Sequence, residues 1–284
     1  MSKNISFQNQ SILITGGSGM VGSQIDFGKK PPRSVLNILD EKSIQNAVKK
    51  YRPSAILHLA ALVDMQICEN SPELAYETNV LGTYNIAKIC GEKNIRLVFL
   101  STGAVFNGRK KTPYMETDSA SPLNVYGRTK YIGEIIIKDL VKNHLILRTG
   151  WLFGGGKKGD KKFALKFFKM MQKGETIFAI QNRYGSPTYV LDLVQGITKL
   201  MRSRLTGTIH LVNSGTASYF DIARFMLKSG KFSAKIRAIK ILNHASTKLK
   251  RGKMEGMKSK KISLRPWQEA MREYINYLIK HIKH

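Results

Sequence analysis

The chain has 284 residues, of which 42% are hydrophobic, enough for one α/β domain with a smaller lobe around a proper buried core. No apolar run approaches the ~18 residues of a membrane helix, the polar start at Met1–Gln10 carries no secretory signal, and two cysteines without metal-ligand spacing read as packing thiols in a reducing cytoplasm. Forty-seven Lys and Arg against 19 Asp and Glu give a net charge of +28, which excludes an acidic surface and points to anionic ligands.

In chain order, Ser11–Thr15 (SILIT) is a short β-branched run that ends in glycines, the pattern of a buried parallel strand. The loop Gly16-Gly17-Ser18-Gly19-Met20-Val21-Gly22 follows. Glycines there allow a tight turn and a close backbone approach to a pyrophosphate, and a helix N-terminus behind them supplies N–H groups. The GxxGxxG spacing gains weight from its place after a buried strand at the head of a βαβ series. Gly16, Gly19, Met20, Val21 and Gly22 are therefore candidate cofactor contacts.

The next stretch departs from the standard unit, in which a helix, a second strand and an acidic ribose ligand follow. Only seventeen residues separate Gly22 from Asp40, and Gly28, Pro31 and Pro32 interrupt them. The first helix has room for about two turns, and the second strand is short or absent. Lys29, Lys30 and Arg33 stand where the acid is expected. A basic group such as Arg33 suits a 2′-phosphate, hence NADP over NAD; a solvated basic loop is the competing reading.

Asp40–Tyr51 is a helix capped by Asp40, Ala55–Ala61 a second buried strand, Pro72–Lys93 a long helix, Arg96–Ser101 a third strand, Leu123–Leu140 a helix and His144–Thr149 a fourth strand. Alternation of this kind predicts a Rossmann-type, doubly wound parallel sheet with a shortened first βαβ unit. Beyond Trp151 the pattern loosens into helices at Phe163–Lys173, Leu191–Met201, Tyr219–Ser229 and Trp267–Ile282, a turn at Gly185–Tyr189 and a strand at Gly207–Val212. Residues 1–150 read as the dinucleotide-binding domain. Residues 151–284 read as a mixed segment that completes the sheet and builds a small substrate lobe over the strand ends, where α/β ligands bind.

Lys228–Lys261 is the densest basic stretch, with twelve basic residues and one acid, Glu255, and reads as a face that meets phosphates. The lysines elsewhere form no single stripe, and no zinc-finger spacing or RNA-binding aromatic signature accompanies them, which disfavours a nucleic-acid partner.

Tyr126 and Lys130 lie one helical turn apart on one face, a pairing in which the ammonium favours the phenolate and draws the Tyr pKa toward working pH. Tyr84 and Lys88 share the spacing. Context separates the two pairs: Tyr126 opens its helix just after Pro122 at the ligand edge, opposite Ser101-Thr102 at a strand end, whereas Tyr84 lies in a helix with apolar neighbours.

With these residues in view, the chain resembles the dTDP-4-dehydrorhamnose reductase family of the extended short-chain dehydrogenase/reductases. The resemblance rests on ITGGSGMVG (Ile14–Gly22), LHLAALVD (Leu57–Asp64), ELAYETNVLGTYNIA (Glu73–Ala87), FLSTGAVFNG (Phe99–Gly108), PLNVYGRTKYIGE (Pro122–Glu134), LILRTGWLFG (Leu145–Gly154), RYGSPTYVLDL (Arg183–Leu193) and LRPWQEAMREYI (Leu264–Ile275). It implies hydride transfer from NADPH or NADH to the 4-keto carbon of a nucleotide-linked 6-deoxysugar. It further implies Tyr126 as proton donor, Lys130 as its partner and ribose anchor, and Thr102 on the keto oxygen. Ala60, Ala61 and Asn79 would line the cofactor channel. Trp151, Arg183 and Ser186 would meet the sugar nucleotide, and the GSPT stretch, Gly185–Thr188, would close the site. The expected partner is a nucleotide-diphosphate sugar, with no metal and no membrane; a homodimer fits the same reading.

Three departures stand out. Thr102-Gly103-Ala104 replaces the family's Thr-Asp-Tyr, Ala60-Ala61-Leu62-Val63 replaces AAYT, and the stretch after Gly22 is cut short. They leave two alternatives open: a sugar-nucleotide epimerase or dehydratase, and a non-catalytic nucleotide-binding subunit of the kind found in the regulatory subunit of methionine adenosyltransferase.

Overall fold

The structure is a computed structural model that describes residues 11–155, 160, 162–241 and 249–282. The polar start Met1–Gln10 and residues 242–248 of the basic stretch lie outside the described residues.

Five parallel strands form the central sheet: β1 (Ile12–Thr15), β2 (Ala55–His58), β3 (Arg96–Thr102), β4 (His144–Thr149) and β5 (Gly207–His210), adjacent in that order. The register pairs Ile12 with Ala55, Ala55 with Arg96, Leu97 with His144 and Leu145 with Gly207. Alternate strand residues point to opposite faces. Leu13, Ile56, Leu97, Phe99 and Ile146 pack under α1 (Glu41–Tyr51), α2 (Gly82–Glu92) and α3 (Val125–Leu140). Ile12, Ile14, Leu57, Val98, Leu145 and Leu147 face the other way and are covered by α5 (Val190–Met201), which follows α4 (Phe163–Gln172) in the chain. Helices therefore cover both faces, as doubly winding requires.

The shortened unit is resolved in detail. The only helical element directly after the glycine loop is the 3-10 turn Gly22–Gln24, and Val21 and Ile25 help to cover the sheet face there. The second strand is reduced to one residue. Lys29 donates its N–H to the Ile12 carbonyl and accepts from the Ile14 N–H, both at 2.8 Å, and so bridges to β1 on the side away from β2.

Several expected boundaries move. β2 ends at His58 because the amides of Leu59 and Ala60 turn to the Thr15 hydroxyl, at 3.2 and 3.1 Å. The long helix expected over Pro72–Lys93 contains a π-turn at Glu77–Leu81. A short helix, Met65–Asn70, precedes it, capped by the Asp64 carboxylate at 2.9 and 3.0 Å. α3 begins at Val125, where Asn124 caps the Gly127 N–H at 2.8 Å. Cys68 and Cys90 are buried free thiols.

The residues after Trp151 supply β5 and α5 to the sheet and build a separate core. In it, Phe153, Phe168, Ile177, Ile222, Met226, Trp267, Met271 and Tyr274 pack around α4, α6 (Tyr219–Gly230) and α7 (Trp267–His281). A capping box at Ser218 and Asp221 starts α6. Among the described residues no helix is long and apolar enough to cross a membrane.

Candidate active site

The glycine loop turns immediately off the end of β1. Gly16 sits at φ +68°, and a Cβ there would lie 2.6 Å from the Ala60 nitrogen; one on Gly22 would lie 2.5 Å from the Gly16 carbonyl oxygen. Both contacts are with backbone, so no side chain fits at either place. Lys30 closes the loop from below, donating to the Gly22 carbonyl at 3.3 Å and to the Ile25 carbonyl. Beneath it, the Thr15 hydroxyl and His58 Nδ1 are hydrogen-bonded at 2.7 Å, and His58 Nε2 reaches Thr83 at 3.2 Å. Burial, with Lys130 nearby, pushes His58 down to about 3, so this imidazole stays neutral.

The loop lines a cleft of about 1130 Å³ that runs along the strand ends. At one end its wall is formed by Pro31, Pro32, Arg33 and Leu36–Leu39, so the abbreviated segment still encloses a pocket. Arg33 is exposed there, whereas Lys30 is committed to the loop carbonyls. The acid among the lining residues is Asp64, already engaged in capping a helix.

Mid-cleft, Thr102 at the end of β3 and Tyr126 in the first turn of α3 both line the wall, close enough for the Thr102 hydroxyl to act on the phenol. Burial pushes the Tyr126 phenol up to about 12, with the Thr102 hydrogen bond opposing. The sequence reading that Lys130 draws this phenol down is not what the geometry gives. Lys130 lines the same cleft but sends its ammonium over the Phe99 ring, 3.9 Å from the centroid. Burial pushes Lys130 down to about 7, and Glu134, one turn further on, opposes that. Glu134 is itself buried, paired with Arg148 at 2.6 and 2.9 Å and accepting from Ser101.

At the far end stands Trp151, with φ +36°. Its ring stacks on Tyr219 at 4.2 Å and 8°, and its Nε1 donates to Glu255 at 2.7 Å. Arg251 grips the same carboxylate through Nε, at 2.8 Å, and Nη2. Arg251 lines the cleft together with Leu249, which places part of the basic stretch in the site.

Gly16, Gly19, Met20, Val21, Gly22, Arg33, Ala60, Ala61, Thr102, Tyr126, Lys130 and Trp151 all line this one cleft. Asn79, Arg183 and Ser186 take other places. Asn79 is buried, accepts from the Leu62 N–H and donates to the Leu62 carbonyl and to Thr129, which fixes the turn after β2. Ser186 is fully buried and exchanges hydrogen bonds with the Met257 backbone. Arg183 donates to the Gly252 carbonyl at 3.2 Å and lines a neighbouring basic cleft. Ser186 and Arg183 thus hold the 252–257 segment against the lobe. Tyr219, Arg251 and Glu255 were not singled out by sequence; the lone acid inside the basic stretch was the available signal for Glu255.

A family model described as the RmlD substrate binding domain matches residues 10–279. The chain belongs to this family. It is 34% identical over 225 residues to the dTDP-4-keto-6-deoxy-D-glucose reductase of Streptomyces niveus, covering 76% of this chain and 77% of the relative. It is 31% identical over 254 residues to the dTDP-4-dehydrorhamnose reductase of Salmonella typhimurium, covering 84% of each. The crystal structure of the Bacillus anthracis dTDP-4-dehydrorhamnose reductase in complex with NADP superposes with a TM-score of 0.87 at 28% identity, covering 94% of this chain and 99% of that one. The Yersinia enterocolitica enzyme gives 0.86 at 33%, with the same coverage.

Gly103 stands where the resemblance drawn from the sequence implies an aspartate. A Cβ at Gly103 would meet Met257 Cε at 2.9 Å and the Glu255 carbonyl oxygen at 3.2 Å. The 252–257 segment therefore occupies the space a carboxylate would need, and the substitution is matched by local packing.

Proposed function

We propose that this RmlD-family protein reduces the 4-keto carbon of a nucleotide-linked 6-deoxysugar with NADPH or NADH. The observation that carries the reading is the placement of Thr102 and Tyr126 side by side on the wall of the cleft that the glycine loop opens. Gly16 and Gly22 let the loop pack backbone on backbone, and the loop so shaped lines the cleft that would hold the dinucleotide. Gly19, Met20 and Val21 would complete the pyrophosphate contact, with Ala60 and Ala61 along the channel. When bound, the dinucleotide supplies the hydride.

The protein's own residues handle the proton. As the carbonyl becomes an alkoxide, the Tyr126 hydroxyl gives its proton to that oxygen, and a phenol held at about 12 is still protonated at neutral pH to do so. Thr102 donates to the same oxygen and holds it in line with Tyr126. Lys130, close to neutrality in its titration, is a proton reservoir one turn away. Arg33 is the 2′-phosphate contact, which favours NADPH. Trp151 and Arg251 form the sugar-diphosphate end, and the polycationic chain suits a substrate and cofactor that both carry diphosphates. In this reading residues 1–150 hold the dinucleotide and residues 151–284 complete the sheet and hold the sugar nucleotide; Asn79, Arg183 and Ser186 act by fixing backbone.

The reductase reading is preferred to an epimerase or dehydratase because similar proteins named as reductases match at 28–34% identity. It is preferred to a non-catalytic subunit because Thr102 and Tyr126 remain side by side in an open cleft. The test mixes the protein with NADPH and dTDP-4-keto-6-deoxysugars and follows absorbance of the reduced nicotinamide. Turnover that disappears in Tyr126→Phe is the expected result. Dinucleotide binding without turnover across several keto-sugars would overturn it.

A further inference from the structure

Trp151 holds a conformation that its own chemistry disfavours. A tryptophan at φ +36° lies in the left-handed region, where a side chain crowds the following carbonyl. Such a conformation persists only when the surroundings over-determine it, and it clusters at ligand sites. Here two contacts impose it: the stack on Tyr219, and the hydrogen bond from the indole N–H to Glu255.

Glu255 does not face the cleft. Its oxygens are used by Trp151 Nε1, Arg251 Nε and Arg251 Nη2. Burial pushes its carboxyl up, but the charge and hydrogen bonds of Arg251, with the Trp151 N–H, bring it below the usual range, so it stays ionised. It is therefore unsuited to proton transfer and well suited to holding two groups in fixed relation. Both groups it holds, Trp151 and Arg251, line the cleft. Tyr219 closes the ring of contacts, stacked on the indole with Arg251 close by. A carboxylate gripped by both donors of a planar guanidinium transmits orientation, because the fork cannot rotate without losing one bond.

We infer that Glu255 is a positioning residue that couples the indole wall at Trp151 to an anion contact at Arg251. The inference rests on the nucleotide-sugar reading, in which sugar and diphosphate belong to one ligand and reach both groups together. An anion drawn to Arg251 from the cleft pulls on the shared carboxylate, and the indole, strained and anchored at one atom, shifts with it. The diphosphate thereby sets the sugar wall.

The test uses the full chain labelled with 5-fluorotryptophan. It contains two tryptophans, so two ¹⁹F resonances are expected, assigned with Trp267→Phe. NADP⁺ is present throughout to occupy the glycine loop. Inorganic pyrophosphate is the probe, because it carries the charge but no base or sugar that could touch the ring. The Trp151 resonance should shift on saturation with pyrophosphate, and the shift should be lost in Glu255→Gln and in Arg251→Lys, which keeps the charge but not the fork. A Trp267 resonance at its wild-type position reports that the lobe core is intact in each variant. An equal shift in both variants, a Trp151 resonance that stays still while calorimetry records pyrophosphate binding, or no binding at all would each overturn the inference. A coupled Trp151 in a protein that reduces no keto-sugar would leave the inference standing and remove the reductase reading instead.

Discussion

Lys130 directs its ammonium at the face of Phe99, 3.9 Å from the ring centroid, in the layer between β3 and α3. The ring quadrupole compensates part of the charge, and Glu134 compensates more, yet burial still pushes the lysine down to about 7 from its usual 10.5. In the unfolded chain the same amine keeps its proton to about pH 10.

That difference has a sign. Between about pH 7 and 10.5 the unfolded chain binds the extra proton, so the folded state gains stability as pH rises through this window. Below pH 7 the penalty is complete. Lys130→Met should therefore stabilise the cofactor-free protein by about 2–4 kcal/mol at pH 6. The gain should shrink toward nothing by pH 10. Urea midpoints of both proteins across pH 6–10 check this; parallel curves would contradict it.

Thr102 lowers the Tyr126 phenol against the upward push of burial. Thr102→Val keeps the shape, removes the hydroxyl and should lower kcat by about 10–100-fold, less than the 10²–10⁴-fold expected for losing the acid itself in Tyr126→Phe. The alkaline limb of the pH profile should move upward in Thr102→Val, because the phenol then holds its proton more tightly. Steady-state rates at neutral pH report the first quantity, and a profile carried beyond pH 10 toward the phenol's own range near 12 reports the second.

Arg33 is the exposed cation on the cleft wall beside Leu36–Leu39, while Lys30 is engaged with the Gly22 and Ile25 carbonyls. Arg33→Ala should raise KM for NADPH about tenfold and leave KM for NADH within about twofold, as loss of one charge-assisted phosphate contact predicts. Equal changes for both cofactors would place the 2′-phosphate elsewhere.

The fold was readable where burial writes a run of apolar residues: the SILIT and HLILRT stretches are strands because both of their faces are covered. The abbreviated first unit was readable from Pro31, Pro32 and the short distance to Asp40. The π-turn at Glu77–Leu81 was not, because one wide turn leaves helical periodicity nearly intact; its stabilising contact, Thr83 donating to the Asn79 carbonyl at 2.6 Å, appears only in three dimensions. Glycine spacing located the loop that turns off β1 and lines the cleft. The shared helix face of Tyr126 and Lys130 did not reveal that the lysine turns toward Phe99, since a face fixes position and leaves the rotamer open. Trp151 and Glu255 meet across 104 residues, a separation no local pattern spans.

Glu134 gives the sharpest test of how the catalytic helix is held. Its side chain is fully shielded and pairs with Arg148, which is 4% exposed and stacks on Phe106 at 5.0 Å. Removing one partner of a buried pair strands the other charge and typically costs about 3–5 kcal/mol. Replacing both by apolar residues of similar size is often neutral. Glu134→Gln should therefore lose stability of that order, and Glu134→Met with Arg148→Met should recover most of it. The two changes share one effect on Lys130. Glu134 is the group that opposes burial in holding the lysine at about 7, so Glu134→Gln and the double variant should both move Lys130 further down. By the same linkage, the pH window over which stability rises should open below 7 in both. Denaturation curves from pH 5 to 10 separate the outcomes. Recovered stability in the double variant with a shifted window assigns Glu134 to the electrostatics of Lys130, whereas recovered stability with an unmoved window assigns it to packing alone.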